Sequence, residues 1–346
     1  MLDPSEMPAR LAAFLAAEVP GAGDVTVHSY EVMTGGYSRL LARAEVSWRA
    51  GGDEQRRTFV LRGDPPPERT LIFTDRHTEF EVVRAMAANG VLTPDAHHFD
   101  DGGRLATPTI LLDFSPATSL LVDLAGRGAP VELTGPLAEA AASFHRIPLT
   151  ELPARLERPA SAEAYLADRI DEWRRTAAAH VEALPILQYV AAWLDAHRPA
   201  PVPLSLIHGD FQSSNLMVTA DDRIVVLDWE LAQIGDPRED LGYFKAVAQA
   251  APPDLIGLDE AAFCARYNEL MGFTDEQVNP AVIAYFLILG VIGTVRRLLE
   301  AGAAFSRGEN TSLNAVFNAR NVMFGQSMWL QFSEQLEQAF AAAKEA

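Results

Sequence analysis

Lysine is nearly absent from this chain. It occurs twice, at Lys245 and Lys344, among 28 lysines and arginines. A P-loop needs Gly-Lys-Ser or Gly-Lys-Thr, so that phosphate-binding device is excluded. Cysteine occurs once, at Cys264, which rules out an internal disulfide framework and fits a reducing compartment. Cys264 stands in the apolar run Ala261–Ala265 and reads as inert core. Positive charge is also scarce: the net charge is −19. A nucleic-acid binder would show a basic patch, and none is visible; the acidity reads first as a solubility device. Nor is there an apolar run that could cross a bilayer. Ala281–Val295, about fifteen residues with Gly290 and Gly293 inside it, reads as a buried helix. The N-terminus opens with Asp3 and Glu6 and has no basic n-region, so no signal peptide is expected. These absences predict a cytoplasmic protein that binds neither nucleic acid nor membrane.

What is present is ordinary in bulk and unusual in one stretch. Apolar residues at 49% and charged residues at 22% allow both a core and a soluble surface, in one large or two modest domains. The unusual stretch is Leu206–Tyr243, LIHGDFQSSNLMVTADDRIVVLDWELAQIGDPREDLGY. Two apolar runs, Leu216–Val218 and Ile224–Leu227, flank the polar turn Thr219–Asp222 and read as a β-hairpin. Asp210 and Asn215 precede the first run, and Asp228 ends the second. The hairpin would gather three oxygen-bearing side chains at one end. Magnesium takes carboxylate and amide oxygens and keeps water and phosphate as its other ligands. Asn215 and Asp228 are the candidate metal ligands, and Asp210 is free to face a hydroxyl. Asp-x4-Asn followed by a strand-end Asp matches the catalytic-loop and metal-aspartate spacing of kinases. Any one of these residues could merely cap a turn; the set points to a site.

His208-Gly209-Asp210 with Asn215, then Asp228-Trp229-Glu230 and Gly235-Asp236-Pro237-x-x-Asp240-Leu241, resemble the aminoglycoside phosphotransferase and choline kinase superfamily. The last two segments resemble most the kinase-like domains fused to some acyl-CoA dehydrogenases. The resemblance implies an α+β, protein-kinase-like, two-lobed fold. A small antiparallel-sheet lobe over residues 1–114 would bind nucleotide. A large, mostly helical lobe over 115–346 would carry the catalytic loop and the acceptor site. ATP is the implied phosphate donor, with GTP as the alternative, and Mg²⁺ the implied cofactor. Asp210 would be the catalytic base. Asp236 would buttress the catalytic loop by hydrogen bonds, with His208 in a like supporting role. Glu230 would support the metal or face the acceptor.

The N-terminal third fits this order. Leu11–Ala17 reads as a helix stopped at Pro20-Gly21. Val25–Met33 and Leu40–Trp48 read as strands around Thr34-Gly35-Gly36-Tyr37-Ser38, a turn whose glycines would let backbone amides approach phosphate. Ser38 matches the small polar residue that relatives place over the phosphates. Ala50–Gln55 reads as a polar turn and Thr58–Arg62 as the third strand. Kinases carry a lysine on this strand, paired to phosphates and to a helix glutamate. With no lysine available, Arg62 is the substitute, and relatives often show Val-Leu-Arg here. Arginine keeps the charge but is bulkier. A helix over Asp75–Asn89 would present Phe80, Val83 and Ala87 on its apolar face. Of its acids, Glu79 matches the relatives' partner for the strand cation. Leu105–Phe114 supplies more sheet, and Asp113–Pro116 would be the hinge that meets the nucleotide base. Helices follow at Thr134–His145, Ser161–Ala178 and Ile186–His197, and from Glu260 onward. His145 stands at a helix C-terminus, where the dipole favours it without any catalytic role.

The expected activity is transfer of the γ-phosphate of ATP to a hydroxyl of a small molecule by a monomer or homodimer. The alternative is a pseudokinase-like scaffold that binds nucleotide without transfer. Arg62 and Gln212, the latter standing where many kinases place a cation, favour that alternative. A metal-dependent hydrolase would need more His or carboxylate ligands than this stretch offers.

Overall fold

A computed structural model describes residues 5–33, 39–64, 74–127, 131–180, 185–250, 256–290 and 292–308. The chain divides into two compact units. One comprises Met1–Ser119, Thr150–Leu156 and Leu216–Ala232; the other comprises Leu120–Leu149, Glu157–Asn215 and Gln233–Ala346.

The first unit is built on an antiparallel sheet. Helix α1 (Met7–Glu18) leads into β1 (Gly23–Val32), β2 (Leu40–Ala50) and β3 (Asp53–Gly63); α2 (Arg76–Ala88), β4 (Ala96–Asp101) and β5 (Pro108–Asp113) follow. The strand order is β1-β2-β3-β5-β4. Leu11, Phe14 and Leu15 of α1 pack with Ala42, Ala44, Val46, Phe59, Leu61 and Leu111 of the sheet. Gly51 and Gly52 both adopt positive φ, +62° and +96°, and close the β2–β3 hairpin in two residues with Ala50 opposite Asp53. The third strand therefore starts at Asp53 rather than at Thr58. Its first residues are polar because they are exposed, and Arg56 pairs there with Glu45 at 3.1 Å. Strand β4 was hidden by its sequence, Ala-His-His-Phe-Asp-Asp, in which only Ala96 and Asp100 are buried. Asp100 accepts backbone N–H bonds from Gly102, Arg104 and Leu105, so Leu105 lies in a turn rather than opening a strand.

Helix α2 is capped by Asp75, which accepts from His77 N at 3.0 Å. Its buried face is Arg76, Glu79, Val82, Val83 and Met86. That corrects the Phe80–Val83–Ala87 face: the helix turns two ionisable residues inward, while Phe80 stacks on Phe99 at 5.8 Å. A smaller sheet, in the order β10-β9-β6, joins β6 (Thr118–Ser119), β9 (Leu216–Val218) and β10 (Ile224–Val226). Leu216 pairs with Val226, and Val226 N donates to Leu92 O at 2.8 Å. The Trp229 indole N–H reaches Thr93 Oγ1 at 3.1 Å. These bonds tie the hairpin to the sheet-bearing unit.

The second unit is helical. Its helices are α3 (Leu120–Arg127), α4 (Thr134–His145), α5 (Ala162–Ala179), α6 (Ile186–Ala196), α7 (Arg238–Ala250), α8 (Glu260–Met271), α9 (Pro280–Gly290) and α10 (Ile292–Ser306). Two small strand pairs accompany them. Antiparallel β8 (Ser205–Ile207) and β11 (Gln233–Gly235) form one; parallel β7 (Val131–Glu132) and β12 (Ile256–Gly257) form the other. Ser161 caps α5 by accepting from Ala164 N at 3.1 Å. The apolar run expected to be helical is helical over its described residues, in α9 and α10. Helix α9 is buried from Val282 to Leu289, as a helix apolar on all sides must be. It packs among α5, α6 and α10. Trp173 donates to Leu289 O at 3.1 Å and Tyr285 to Leu194 O at 2.9 Å, which satisfies two of the polar atoms that this core encloses. No described helix is long and apolar enough to cross a membrane.

Candidate active site

In the helical unit, β8 ends at Ile207 and the chain turns through Gly209, whose φ of +77° suits glycine. The Asp210 carboxylate is held at both oxygens. Gln212 Nε2 donates to Oδ1 at 2.7 Å, and Asn215 Nδ2 donates to Oδ2 at 2.7 Å and to Asp210 O at 2.9 Å. Asp210 N in turn donates to His208 Nδ1 at 3.2 Å. With its amide N–H spent on Asp210, Asn215 keeps its amide oxygen as the group suited to a hard cation.

The loop is fixed from behind by Asp240. That carboxylate accepts from His208 N at 2.7 Å and from Gly209 N at 2.9 Å. His145 Nε2 lies 3.0 Å from Asp240 Oδ2, and His145 Nδ1 lies 2.7 Å from the Tyr267 hydroxyl. His145, His208 and Asp240 are all essentially buried. This corrects the part expected of Asp236. Its carboxylate is taken by Arg238, through the backbone N at 3.0 Å, Nε at 2.9 Å and Nη2 at 2.7 Å. Arg238 also donates to Ala200 O and Gln277 O. Asp236 thus anchors the start of α7, and Asp240, one helical turn further on, reaches the loop. The residue that sequence reasoning passed over was visible as the last acid of Gly-Asp-Pro-x-x-Asp.

In the sheet-bearing unit a second set of charges converges. Arg62 is the next-to-last residue of β3, with Nε 2.9 Å from Glu79 Oε1 of α2, though without hydrogen-bond alignment. Its Nη2 contacts Asp228 Oδ1 and lies 3.2 Å from Glu230 Oε2. Asp228 adopts a left-handed backbone, φ 67° and ψ 63°, an arrangement that few non-glycine residues accept and that clusters at functional sites. Two further arginines belong to the set, and sequence reasoning missed both. Arg39 Nε donates to Glu230 Oε2 at 2.6 Å, and its Nη2 donates to Thr74 Oγ1 at 2.8 Å. Arg76 donates to Asp64 Oδ1 through Nη2 at 2.7 Å and pairs with Glu79 through Nη1. Burial, then the positive charges of Arg39 and Arg62, hold Arg76 below its ordinary value. The signal available in the sequence was an arginine just ahead of a strand, Arg39, and another at a helix start, Arg76.

The remaining candidates fall elsewhere. Asp113 closes β5, with its carboxylate 2.9 Å from His97 Nε2 and 3.6 Å from Arg57 Nη1. Gly35, Gly36 and Ser38 lie outside the described residues. Cys264 is buried, and burial pushes its thiol up to about 12, which keeps it protonated and inert.

A five-stranded antiparallel sheet whose third strand carries, near its end, a cation paired to a helix glutamate defines one half of a class. A helical unit whose Asp-x4-Asn loop is braced by a buried aspartate defines the other. Together they are the α+β, kinase-like fold. The sequence profile described as the phosphotransferase enzyme family matches residues 39–277, more than half of the chain. The chain belongs to that family. Among curated proteins it is 26% identical over 241 residues to mouse (Mus musculus) acyl-CoA dehydrogenase family member 10, covering 66% of this chain and 21% of the relative. The chain thus spans only about a fifth of that protein's length. Among solved structures it resembles a candidate aminoglycoside phosphotransferase from Ralstonia eutropha, with TM-score 0.67 and 19% identity over 94% of this chain and 98% of that one. It also resembles a choline/ethanolamine kinase family protein from Mesorhizobium loti, with TM-score 0.59 and 20% identity over 96% and 98% of the two chains.

Proposed function

We propose that this protein transfers the γ-phosphate of ATP to a hydroxyl of a small molecule. The observation that carries the reading is the Asp210 carboxylate, oriented by Gln212 and Asn215 rather than spent on capping a turn. Asp210 takes the proton of an acceptor hydroxyl. The new bond forms between that oxygen and the γ-phosphorus, and the bond to the bridging oxygen of the leaving diphosphate breaks. Asn215 and Asp228 fit a divalent cation by donor type. Magnesium, when bound, neutralises phosphate charge. Arg62 binds phosphate in place of the lysine, with Glu79 as its partner. The backbone at Asp113 meets the base. The acceptor is a small molecule that presents a hydroxyl, as aminoglycosides, choline and ethanolamine do.

A second reading is a nucleotide-binding scaffold without transfer. The ion pair between Arg62 and Asp228 favours it, because it occupies both the phosphate cation and the metal aspartate. The two readings separate in one experiment, ADP release over a panel of hydroxyl acceptors beside calorimetric titration with Mg-ATP. Phosphotransfer predicts that Asp210→Asn lowers turnover by roughly 10²- to 10⁴-fold. The same variant should keep its nucleotide affinity within about threefold, since the lost interaction belongs to the transition state. Normal turnover by the variant sinks the role of Asp210. Binding by the wild type with no ADP release on any acceptor favours the scaffold.

A further inference from the structure

Glu230 Oε2 lies within ion-pair distance of three guanidiniums, and the distances rank them. Arg39 holds it through Nε at 2.6 Å and also through Nη2; Arg62 Nη2 is 3.2 Å away and Arg76 Nη2 is 3.6 Å away. Glu79 is divided: Oε2 is bound by Arg76 Nη1, while Oε1 faces Arg62 Nε without alignment. Asp64 Oδ1 goes to Arg76, at 2.7 Å and 3.1 Å, with Arg39 Nη1 at 3.7 Å. In each case Arg39 or Arg76 has the shorter or better aligned contact. Arg62 is left with the weaker share of Glu79 and Glu230, and with Asp228.

The set holds three cations and four carboxylates. Removing the charge of Arg39 would leave Glu230, whose side chain is 7% exposed, without its main partner. A buried carboxylate in that state draws the nearest cation, because an unpaired charge at low dielectric is costly. That cation is Arg62.

We propose that Arg39 and Arg76 are positioning residues, which occupy Glu230, Asp64 and Glu79 so that Arg62 is left to bind the phosphates of a nucleotide. The inference rests on the phosphotransferase reading and deepens it. A guanidinium at this position brings five donors where a lysine brings one nitrogen. The additional arginines keep the neighbouring acids from capturing it.

The test is Mg-ATP affinity by isothermal titration calorimetry in wild type, Arg39→Met and Arg39→Met/Glu230→Gln, each first shown to be folded by its thermal melt. Arg39→Met should raise Kd by about tenfold or more, the scale of a lost charge-assisted hydrogen bond at the phosphates. Neutralising Glu230 as well should lower Kd again relative to Arg39→Met, because Arg62 is released. A merely structural role for Arg39 would lower the melting temperature and give no recovery of affinity in the double variant. An unchanged Kd in folded Arg39→Met, or no recovery in the double variant, overturns the proposal. If Arg39→Met does not fold, Arg39→Lys takes its place. Lysine can hold Glu230 but not Thr74 with it, so Kd should lie between wild type and the tenfold loss, and a wild-type value overturns the proposal. Wild-type protein that binds neither ATP nor GTP overturns the phosphotransferase reading and this inference with it; failure of the inference alone leaves wild-type binding intact.

Discussion

The two charged centres of this protein are built on opposite plans. In the sheet-bearing unit, carboxylates and guanidiniums meet side chain to side chain, and single oxygens such as Glu230 Oε2 are shared among several arginines. In the helical unit, the buried Asp240 carboxylate meets backbone N–H groups and a histidine. The first plan lets partners exchange without moving the backbone, which suits a place where charge arrives and leaves. The second fixes the shape of a loop, which suits the role proposed for Asp210. The largest expected effect tests the second plan. Asp240→Ala leaves the buried His208 N–H, the partly buried Gly209 N–H and His145 Nε2 without this partner. It should cost about 3–5 kcal/mol of stability in urea denaturation. A loss below about 1 kcal/mol would mean that the loop keeps its shape without Asp240, and the contrast between the two centres would fail.

The next effect concerns how Asp240 is delivered. It rides on α7, which crosses α9 at Gly242. A Cβ at Gly242 would lie 2.3 Å from Leu287 N and Phe286 C and 2.7 Å from Phe286 O. Those atoms are backbone, so the helices themselves must separate. Gly242→Ala should therefore cost about 1–3 kcal/mol, as overpacking does, despite the usual helix preference for alanine. Turnover should fall further than the small loss of folded protein explains, because Asp240 moves with the helix. A variant as stable and as active as wild type would show that this crossing does not set the position of the loop.

Much of this was legible in the sequence, and the reasons differ by region. The hairpin at 216–226, the helix Thr134–His145 and the Ser161 cap follow from local rules, namely apolar runs around a polar turn, alanine content and capping chemistry, and the structure has them. Local rules failed where tertiary contact decides. Strand β3 begins among exposed polar residues because a Gly-Gly turn sets its register, and β4 looks polar because only Ala96 and Asp100 face inward. Helix α2 shows the limit most clearly. Its apolar residues suggested one face, but the buried face includes Arg76 and Glu79, whose inward turn is favourable because Asp64 is there to receive the first and Arg62 the second. Pairing between distant segments leaves no periodic trace in any of them. The same holds for Asp240, whose partners His208 and Gly209 lie about thirty residues away.

The smallest effect returns to α2, because that helix carries both Arg76 and Glu79. Its N-cap, Asp75, accepts from His77 N at 3.0 Å, from Thr78 Oγ1 at 2.6 Å and from Arg155 Nη1 at 2.9 Å. The Thr78 bond, ahead of the others, holds the Asp75 carboxyl below its ordinary value of 3.8. Asp75→Ala should cost about 1 kcal/mol, the usual scale for a lost cap. The exposed Arg155 pair adds little to that. The sign of the pH dependence follows from the depressed value: the unfolded chain takes up the proton first as pH falls. The charge-dependent part of the stabilisation is therefore complete above 3.8 and is lost as pH drops through the folded value. Thermal melts of wild type and Asp75→Ala should differ at about pH 6 and converge toward about pH 2.5. A gap that persists at the lower pH would place the effect of Asp75 in its neutral hydrogen bonds. Helix α2 would then present its two charged residues without help from a charged cap, and the side-chain centre would rest on ion pairing alone.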